Sequence, residues 1–212
     1  MKGVWFNEKH SFSDWNLILS AADIPPAVPK TSYVDIPGGD GSIDLTEALG
    51  EVRYSNRECV FTFTVFPYED FEAKKTLISN LLNGKRFKIR LDKDPDYYWE
   101  GRCDVNGYSQ NKRLRKITVR AIVAPYKMRR DETELVFEAG EDITKNVIIT
   151  GRKTVIPTFT AGEGFTMTLN GNVYAMPYGE ITDPSIQLFQ GENVIKITSD
   201  WPVTMRYREG EL

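Results

Sequence analysis

The sequence predicts a mainly β fold with one short covering helix, arranged as two β-sandwich-like domains. In Val60–Phe66 the apolar residues at positions 61, 63 and 65 alternate with threonine at 62 and 64, which is typical of a strand with one buried face. Arg86–Leu91 and Ile117–Val123 repeat this alternation, with mainly cationic or polar residues at the other positions. Asn170-Gly171 stands between two apolar runs and supplies the residue types of a two-residue hairpin turn.

A single helix is predicted over about residues 69–83. Phe71, Ile78, Leu81 and Leu82 form one apolar stripe at helical spacing, and acidic residues stand at the start, where they favour the helix dipole. Gly84 follows as a C-terminal stop. Because the helix joins two predicted strands, we expect it to cover a sheet.

Charge divides the chain into two parts. Residues 1–130 contain 21 basic and 17 acidic residues, whereas residues 131–212 contain 6 basic and 13 acidic residues. This switch predicts a domain boundary at about residue 130, with an N-terminal domain over 1–130 and a smaller domain over 131–212.

Composition excludes several classes of function. With 41% hydrophobic and 27% charged residues, the chain can form a core, and its net charge of −3 excludes a generally basic nucleic-acid binder. No apolar run is long enough to cross a bilayer, so no membrane partner is expected. His10 is the only histidine, which argues against paired-histidine metal sites and histidine-based catalysis. We therefore predict no catalytic residue, no metal site and no cofactor, and interpret His10 as an exposed or edge residue.

Two other groups of reactive side chains have ordinary structural interpretations. Asp92, Asp94 and Asp96, with Glu100 beyond them, resemble a glycosidase acid cluster or the start of a calcium loop, but their spacing also fits a surface hairpin loop, which we favour. Cys59 and Cys103 lie in strand-like segments and are predicted to be buried, reduced thiols.

The basic segment 85–130 leaves more alternatives open. It holds 14 basic and 5 acidic residues with interleaved aromatic side chains, as a nucleic-acid surface would. The outer faces of antiparallel strands would give the same pattern, and so would a cationic face that meets an acidic neighbouring subunit. Before it, the proline-rich segment 24–29 predicts a stiff connector and the glycine-rich segment 36–41 predicts a turn.

The chain resembles the distal tail (Dit-like) proteins of siphovirus-type phages along nearly its whole length. The order and spacing of several short motifs carry this resemblance more than any single motif does. The matching segments are Trp5–Leu19, Ile36–Thr46, Tyr54–Arg57, Leu82–Lys85, Tyr98–Arg102, Thr150-Gly151, Pro157, Leu169–Gly171, Phe189–Ile197 and Val203–Arg208. Two features depart from the family: Gly39 stands where members tend to have arginine, and the C-terminal part is short.

The resemblance implies a structural role in a virion. It implies a β-sandwich N-terminal domain that forms a hexameric ring and a C-terminal domain that is galectin-like. Such a hub would join the tail tube protein to the tail-tip or baseplate proteins and leave a channel for the tape-measure protein and for DNA, which passes only as cargo. The chain would be made in the cytoplasm of a bacterial host and act at the phage tail tip, as a non-enzyme.

Two sets of candidate contact residues follow. For contacts between subunits or with the tube we predict Ile36, Pro37, Gly38, Gly39, Asp40, Gly41, Arg86, Lys88, Arg90, Arg113 and Arg115. The alternative function is a carbohydrate-binding, receptor-recognition module of a tail tip, and its candidate sugar-contacting residues are Tyr97, Tyr98, Trp99 and Trp201.

Overall fold

The computed structural model describes residues 3–48, 50–65, 71–111 and 114–212. Their contacts divide the chain into two compact units, Met1–Pro125 and Tyr126–Leu212, which we call unit 1 and unit 2. The division falls a few residues before the charge switch. Both units are built mainly from antiparallel strands, and one short helix is present among the described residues, so the predicted all-β class is confirmed.

Unit 1 is organised around one antiparallel sheet, to which its described residues contribute seven strands. In spatial order the strands are β2 (Lys9–His10), β1 (Val4–Phe6), β7 (Lys85–Leu91), β8 (Asp94–Gln110), β9 (Arg115–Val123), β6 (Arg57–Val65) and β3 (Leu17–Asp23). The strands β4 (Tyr33–Asp35) and β5 (Ser42–Asp44) form a separate two-stranded sheet.

The inward faces of these strands are those that the alternation predicts. In β6 the side chains of Phe61, Phe63 and Val65 are buried, and the threonines between them are partly exposed. In β9 positions 117, 119, 121 and 123 are all buried, and the register places Ile117 beside Phe63. A strand buried on one face alone has this period of two, so the sequence determines which side chains form the core.

The helix α1 (Phe71–Leu82) packs on the sheet through the predicted stripe. Phe71, Ile78 and Leu82 are buried, and Leu81 is partly buried against the same core. Gly84 has a φ of 75°, the left-handed conformation that ends a helix with little strain when the residue is glycine. The first residues of the predicted helix, 69 and 70, lie outside the described residues.

Unit 2 is a β-sandwich of two four-stranded antiparallel sheets. One sheet consists of β11 (Thr133–Phe137), β18 (Val203–Tyr207), β13 (Thr158–Ala161) and β16 (Gly179–Thr182). The other consists of β12 (Gly140–Ile149), β17 (Gly191–Ser199), β14 (Phe165–Leu169) and β15 (Asn172–Met176). Two short strands, β10 (Lys127–Arg129) and β19 (Gly210–Glu211), pair with each other. One apolar cluster fills the space between the sheets.

Turn chemistry fixes the register of β14 and β15. Asn170 and Gly171 have φ angles of 49° and 90°, as a turn with two left-handed central residues requires, which confirms the predicted hairpin. The galectin-like character that the resemblance implies for this unit stays a prediction.

Candidate interaction surfaces

The most exposed part of unit 1 is a long antiparallel arm, residues 28–55. At its base the backbone N–H of Ser55 donates to the carbonyl oxygen of Val28 at 2.9 Å. Further out, the N–H of Leu45 donates to the carbonyl oxygen of Ser32 at 2.8 Å. The strands β4 and β5 lie towards its tip. No described residue of the arm belongs to the buried core of unit 1.

The tip of the arm is the turn that the glycine-rich segment predicts. Residues 36–41 connect β4 to β5 and are all exposed. Gly38 and Gly41 have φ angles of 74° and 80°, which most other residues adopt only with strain. The predicted contact residues Ile36, Pro37, Gly38, Gly39, Asp40 and Gly41 are therefore together at the end of a projecting hairpin.

This hairpin is amphipathic, and its apolar face is left uncovered by the part of the chain that the structure describes. Val34 pairs with Ile43 across the strands, and the period of two puts Ile36 and Leu45 on the same face. These four side chains are 41% to 52% exposed. The opposite face carries Asp35 and Asp44 in place of apolar side chains, with Tyr33 paired to Asp44. A two-stranded hairpin with an uncovered apolar face is marginal alone, so it is suited to packing against another surface.

Sequence reasoning identified the turn of this hairpin but missed its apolar face. The alternation on either side of the turn, Val34 and Ile36 before it and Ile43 and Leu45 after it, is readable without a structure. Two short alternating segments on either side of one turn would have been the signal for a hairpin with an apolar face.

A second candidate surface is the outer face of the unit 1 sheet, on the side away from α1. Arg86, Lys88 and Arg90 point outwards from β7, because the residues between them point into the core. Arg86 pairs with Glu100 at 3.2 Å, whereas Arg90 lies over the ring of Trp5 and Lys88 over the ring of Tyr98. Among the described residues neither Lys88 nor Arg90 has a carboxylate partner.

The outer face contains a shallow groove of about 510 Å³. Ile122 and Ala124 contribute apolar surface to it. Arg120 lies across Asp104, with an Nη2–Oδ2 distance of 3.0 Å, and this pairing raises the pKa of Arg120. The remaining groove residues are Asn56, Arg86, Glu100, Gly101 and Arg102. The groove thus combines a small apolar area with three arginines.

The predicted set of cationic contact residues is divided by the fold. Arg86, Lys88 and Arg90 share the outer face, but Arg115 has the parity of the buried Ile117 and lies over the ring of Phe71, on the helix side of the sheet. Arg113 lies outside the described residues. The alternation in β9 that places Ile117 in the core also places Arg115 on that face, so this division was readable from the sequence.

The predicted sugar-contacting aromatic residues do not form one exposed cluster. Trp99 is 6% exposed and belongs to the core of unit 1, and Tyr98 is 9% exposed because its ring lies under Lys88 on the outer face. Neither offers an open ring face, and Tyr97 is partly buried. Trp201 is 54% exposed between β17 and β18 in unit 2. Tyr98 and Trp99 are buried because they lie within β8 and not in the turn that precedes it.

His10 is an edge residue, as expected, but it is not exposed. It lies on the edge strand β2 and is 7% exposed, with Nδ1 3.1 Å from Ser13 Oγ and Nε2 3.2 Å from Asp92 Oδ2. Asp92 also accepts hydrogen bonds from the backbone of Gly3 and from the indole of Trp5. Burial alone would raise the pKa of Asp92, but these bonds outweigh it and lower that pKa.

The chain of contacts from Ser13 through His10 to Asp92 resembles the catalytic triad of hydrolases, but its role here is structural. His10 is enclosed so closely that a Cβ on Gly3 would lie 2.2 Å from its Nε2. Neither the outer-face groove nor the groove of unit 2 described below contains any residue of the cluster. The cluster holds the first strand against the turn that follows β7, at Asp92.

The other reactive groups have structural positions. Asp92 and Lys93 form a tight turn between β7 and β8, so the acidic segment is a hairpin as predicted, but Asp94 and Asp96 already belong to β8 and not to the loop. Cys59 and Cys103 are free and buried, as predicted, and burial raises their pKa values to about 11 and about 12. The described residues contain no group of three or more potential metal-ligating side chains, and none of their helices is both long and apolar enough to span a bilayer.

Comparison with known proteins gives a match in structure but not in sequence. No protein-family model and no curated protein sequence matches the chain. The chain is similar in structure to SPP1 Dit (gp 19.1), with a TM-score of 0.75, 16% sequence identity and 100% of both chains covered. That crystal structure is described as a paradigm of the hub adsorption apparatus in phages that infect Gram-positive hosts. The likeness shows that the whole chain has this fold, which the sequence resemblance predicts.

Proposed function

We propose that this chain is a structural hub protein of a phage tail, which forms a closed ring of identical copies and acts without catalysis. The observation that carries the proposal is the uncovered amphipathic arm, in a chain whose entire length has the fold of SPP1 Dit. In this role six copies surround a channel, with the tail tube protein on one side and the tail-tip proteins on the other. The place of action is the tail of the virion.

The partner surface for the arm is the outer face of a neighbouring copy. The residues 28–53 contain five acidic and two basic residues, and three of the acids lie at or near the tip. The outer face carries the excess of cationic side chains, together with the apolar area at Ile122 and Ala124. The apolar face of the hairpin would cover that area, and the net negative charge of the arm would favour its approach to the flanking arginines.

The two surfaces are different, and this determines the kind of assembly. A contact between unlike surfaces is repeated from copy to copy, and it yields a ring when the rotation between neighbours closes. Both surfaces are in unit 1, which leaves unit 2 outside the contact that forms the ring.

Mass measurement of the purified chain tests the ring. Sedimentation velocity over a range of concentrations should show an assembly of about 145 kDa, which is six chains of 24.2 kDa. The double substitution Val34→Ser with Ile43→Ser should shift the protein to single chains without unfolding it, because both side chains are exposed. Ile148→Ser with Val173→Ser, which changes two exposed apolar residues of unit 2, is the matched control and should leave the mass unchanged.

Charge reversal tests the partner surface. Arg86→Glu with Arg90→Glu should weaken assembly, and Asp35→Lys with Asp44→Lys should do the same from the other side. Combining all four substitutions should restore part of the assembly. A ring that survives both the arm and the arginine substitutions, or a chain of 24.2 kDa at every concentration, would contradict the proposal.

A further inference from the structure

Unit 2 has a groove of its own on the outer face of the sheet that contains β18 and β13. Its volume is about 380 Å³, within the range of small-ligand sites. Arg206 and Thr158 are paired in register and form part of the floor. The other lining residues are Met128, Glu132, Lys153, Thr154, Val155, Ile156, Glu180, Tyr207 and Arg208.

Two of the three cations in the groove are already neutralised. Arg206 donates from Nε to Glu134 at 2.8 Å, and Arg208 pairs with Glu132 at 3.3 Å. Arg208 also donates to two backbone carbonyls, one of them that of Arg129 at 2.8 Å. These two arginines therefore shape the groove but are engaged within the chain.

Lys153 is different, because no carboxylate among the described residues pairs with it. Its stem packs over Gly210, where an added Cβ would lie 2.9 Å from the lysine Cδ. Its Nζ lies 3.6 Å from the sulfur of Met128, a weak acceptor. Burial lowers the pKa of Lys153, as it does for an ammonium group that has lost water without gaining a counter-ion.

A backbone donor lies in the lining of the same groove. Val155 exchanges both of its backbone hydrogen bonds with Leu188, at 2.9 and 2.8 Å. In antiparallel pairing the next residue directs its N–H to the opposite side, and that residue, Ile156, lines the groove. The Ile156 N–H has no acceptor among the described residues, and its side chain is 43% exposed.

We infer that this groove binds an extended peptide segment of a partner protein through one carboxylate, which pairs with Lys153 while the peptide backbone pairs with Ile156. One charge-assisted hydrogen bond and one strand-like backbone contact are the elements of peptide recognition at a sheet edge. The only aromatic residue lining the groove, Tyr207, is buried, so the stacking surface that sugar ligands use is absent from the described lining. Glu132 and Glu180 at the same site disfavour a polyanion and favour a single carboxylate. The inference does not depend on the proposed ring.

Titration of the isotope-labelled full chain with a short peptide tests this site. The probe is acetyl-Thr-Val-Asp-Val-Thr-amide, and the control peptide has asparagine in place of aspartate. The aspartate peptide should shift the amide signals of Lys153 and Ile156 saturably, with a dissociation constant on the order of 1 mM. The asparagine peptide should bind about tenfold more weakly or not at all.

Two substitutions make the result specific. Lys153→Met keeps the apolar stem and should weaken binding of the aspartate peptide about tenfold or more. Lys196→Met is the control, because Lys196 has its own partner, Asp142, at 3.1 Å, and this variant should bind normally. Unchanged amide dispersion will show that both variants fold.

Three results would overturn the inference. Equal binding of the two peptides would exclude a carboxylate contact, and unchanged binding by a folded Lys153→Met variant would exclude the lysine. Sodium glucuronate that binds tenfold more tightly than the peptide would assign the groove to a sugar acid instead.

Discussion

Removal of the Glu209 carboxylate should destabilise unit 2 strongly. Glu209 is 6% exposed, and its Oε2 accepts hydrogen bonds from the backbone N–H of Thr150 at 2.7 Å, from the hydroxyl of the same residue at 2.8 Å and from the N–H of Gly151 at 2.9 Å. Arg129 lies 3.7 Å from the other oxygen. The carboxylate thus ties the end of β12 to the C-terminal segment.

The expected magnitude follows from the groups that would be left unpaired. Glu209→Ala leaves two backbone N–H groups without an acceptor, each at about 1–3 kcal/mol, so unfolding of unit 2 should become easier by about 3–5 kcal/mol. A shift of the loop cannot close the gap, because Gly151 is packed against the backbone of Gly210. A Cβ added to Gly151 would lie 2.5 Å from the carbonyl oxygen of Gly210. Glu209→Gln retains an oxygen acceptor and loses only the charge, so it should cost about 1–2 kcal/mol.

Hydrogen–deuterium exchange in a urea series measures this effect for each unit separately. Peptides from residues 140–200 report unit 2, and peptides from residues 57–65 and 115–123 report unit 1 and serve as an internal control. The urea midpoint of unit 2 should fall by about 2 M in Glu209→Ala, given an m-value of roughly 1–3 kcal/mol/M. A loss below about 1 kcal/mol, or equal losses in the alanine and glutamine variants, would refute the reasoning.

The same carboxylate gives unit 2 a defined pH dependence. Burial would by itself raise the pKa of Glu209, but the hydrogen bonds from Gly151 and Thr150 and the charge of Arg129 outweigh burial and lower it. Since the unfolded chain titrates near its usual value of about 4.3, the stabilisation is complete above that pH and declines as pH falls through the lower folded value. The Glu209→Gln variant should lack this part of the acid sensitivity.

Three further outcomes are expected in unit 1. Asp92→Asn should lower the stability of unit 1 by about 1–2 kcal/mol, because the indole of Trp5 and a backbone N–H lose a charged acceptor. Urea unfolding should show this loss at pH 7 and a smaller difference between the two proteins as the pH falls towards 3. Gly101→Ala should destabilise the sheet by about 3 kcal/mol, because the added Cβ would lie 2.2 Å from a carbonyl oxygen of β9, and an unchanged melting temperature would contradict the packing. Cys59 and Cys103 should react with Ellman's reagent at pH 8 only as fast as the chain unfolds, since burial keeps both thiols protonated; a fast reaction of the folded chain would contradict their burial.

Local pattern predicted much of the architecture because each strand of the two units has one buried face. The alternation in β6 and β9, the apolar stripe of α1 and the turn at Asn170 are properties of neighbours in sequence, and each was sufficient to predict its element. The resemblance added the relation among elements, and the fold of the whole chain agrees with it.

The candidate surfaces depended on information that the sequence does not contain locally. Arg115 meets the ring of Phe71 in α1, which is distant along the chain, and Tyr98 is buried although it follows an acidic turn. Lys153 was not selected from the sequence, because a lysine becomes distinctive only when its surroundings remove water and provide no carboxylate.

Residue type and spacing along the chain were sufficient to predict the strand faces, the helix, the turns and the scarcity of catalytic side chains. Long-range packing leaves the apolar face of the arm exposed, brings Glu209 to the end of β12 and places Lys153 in a groove. Burial and charge pairing are set by residues far apart in sequence, so they appear only when the chain is folded.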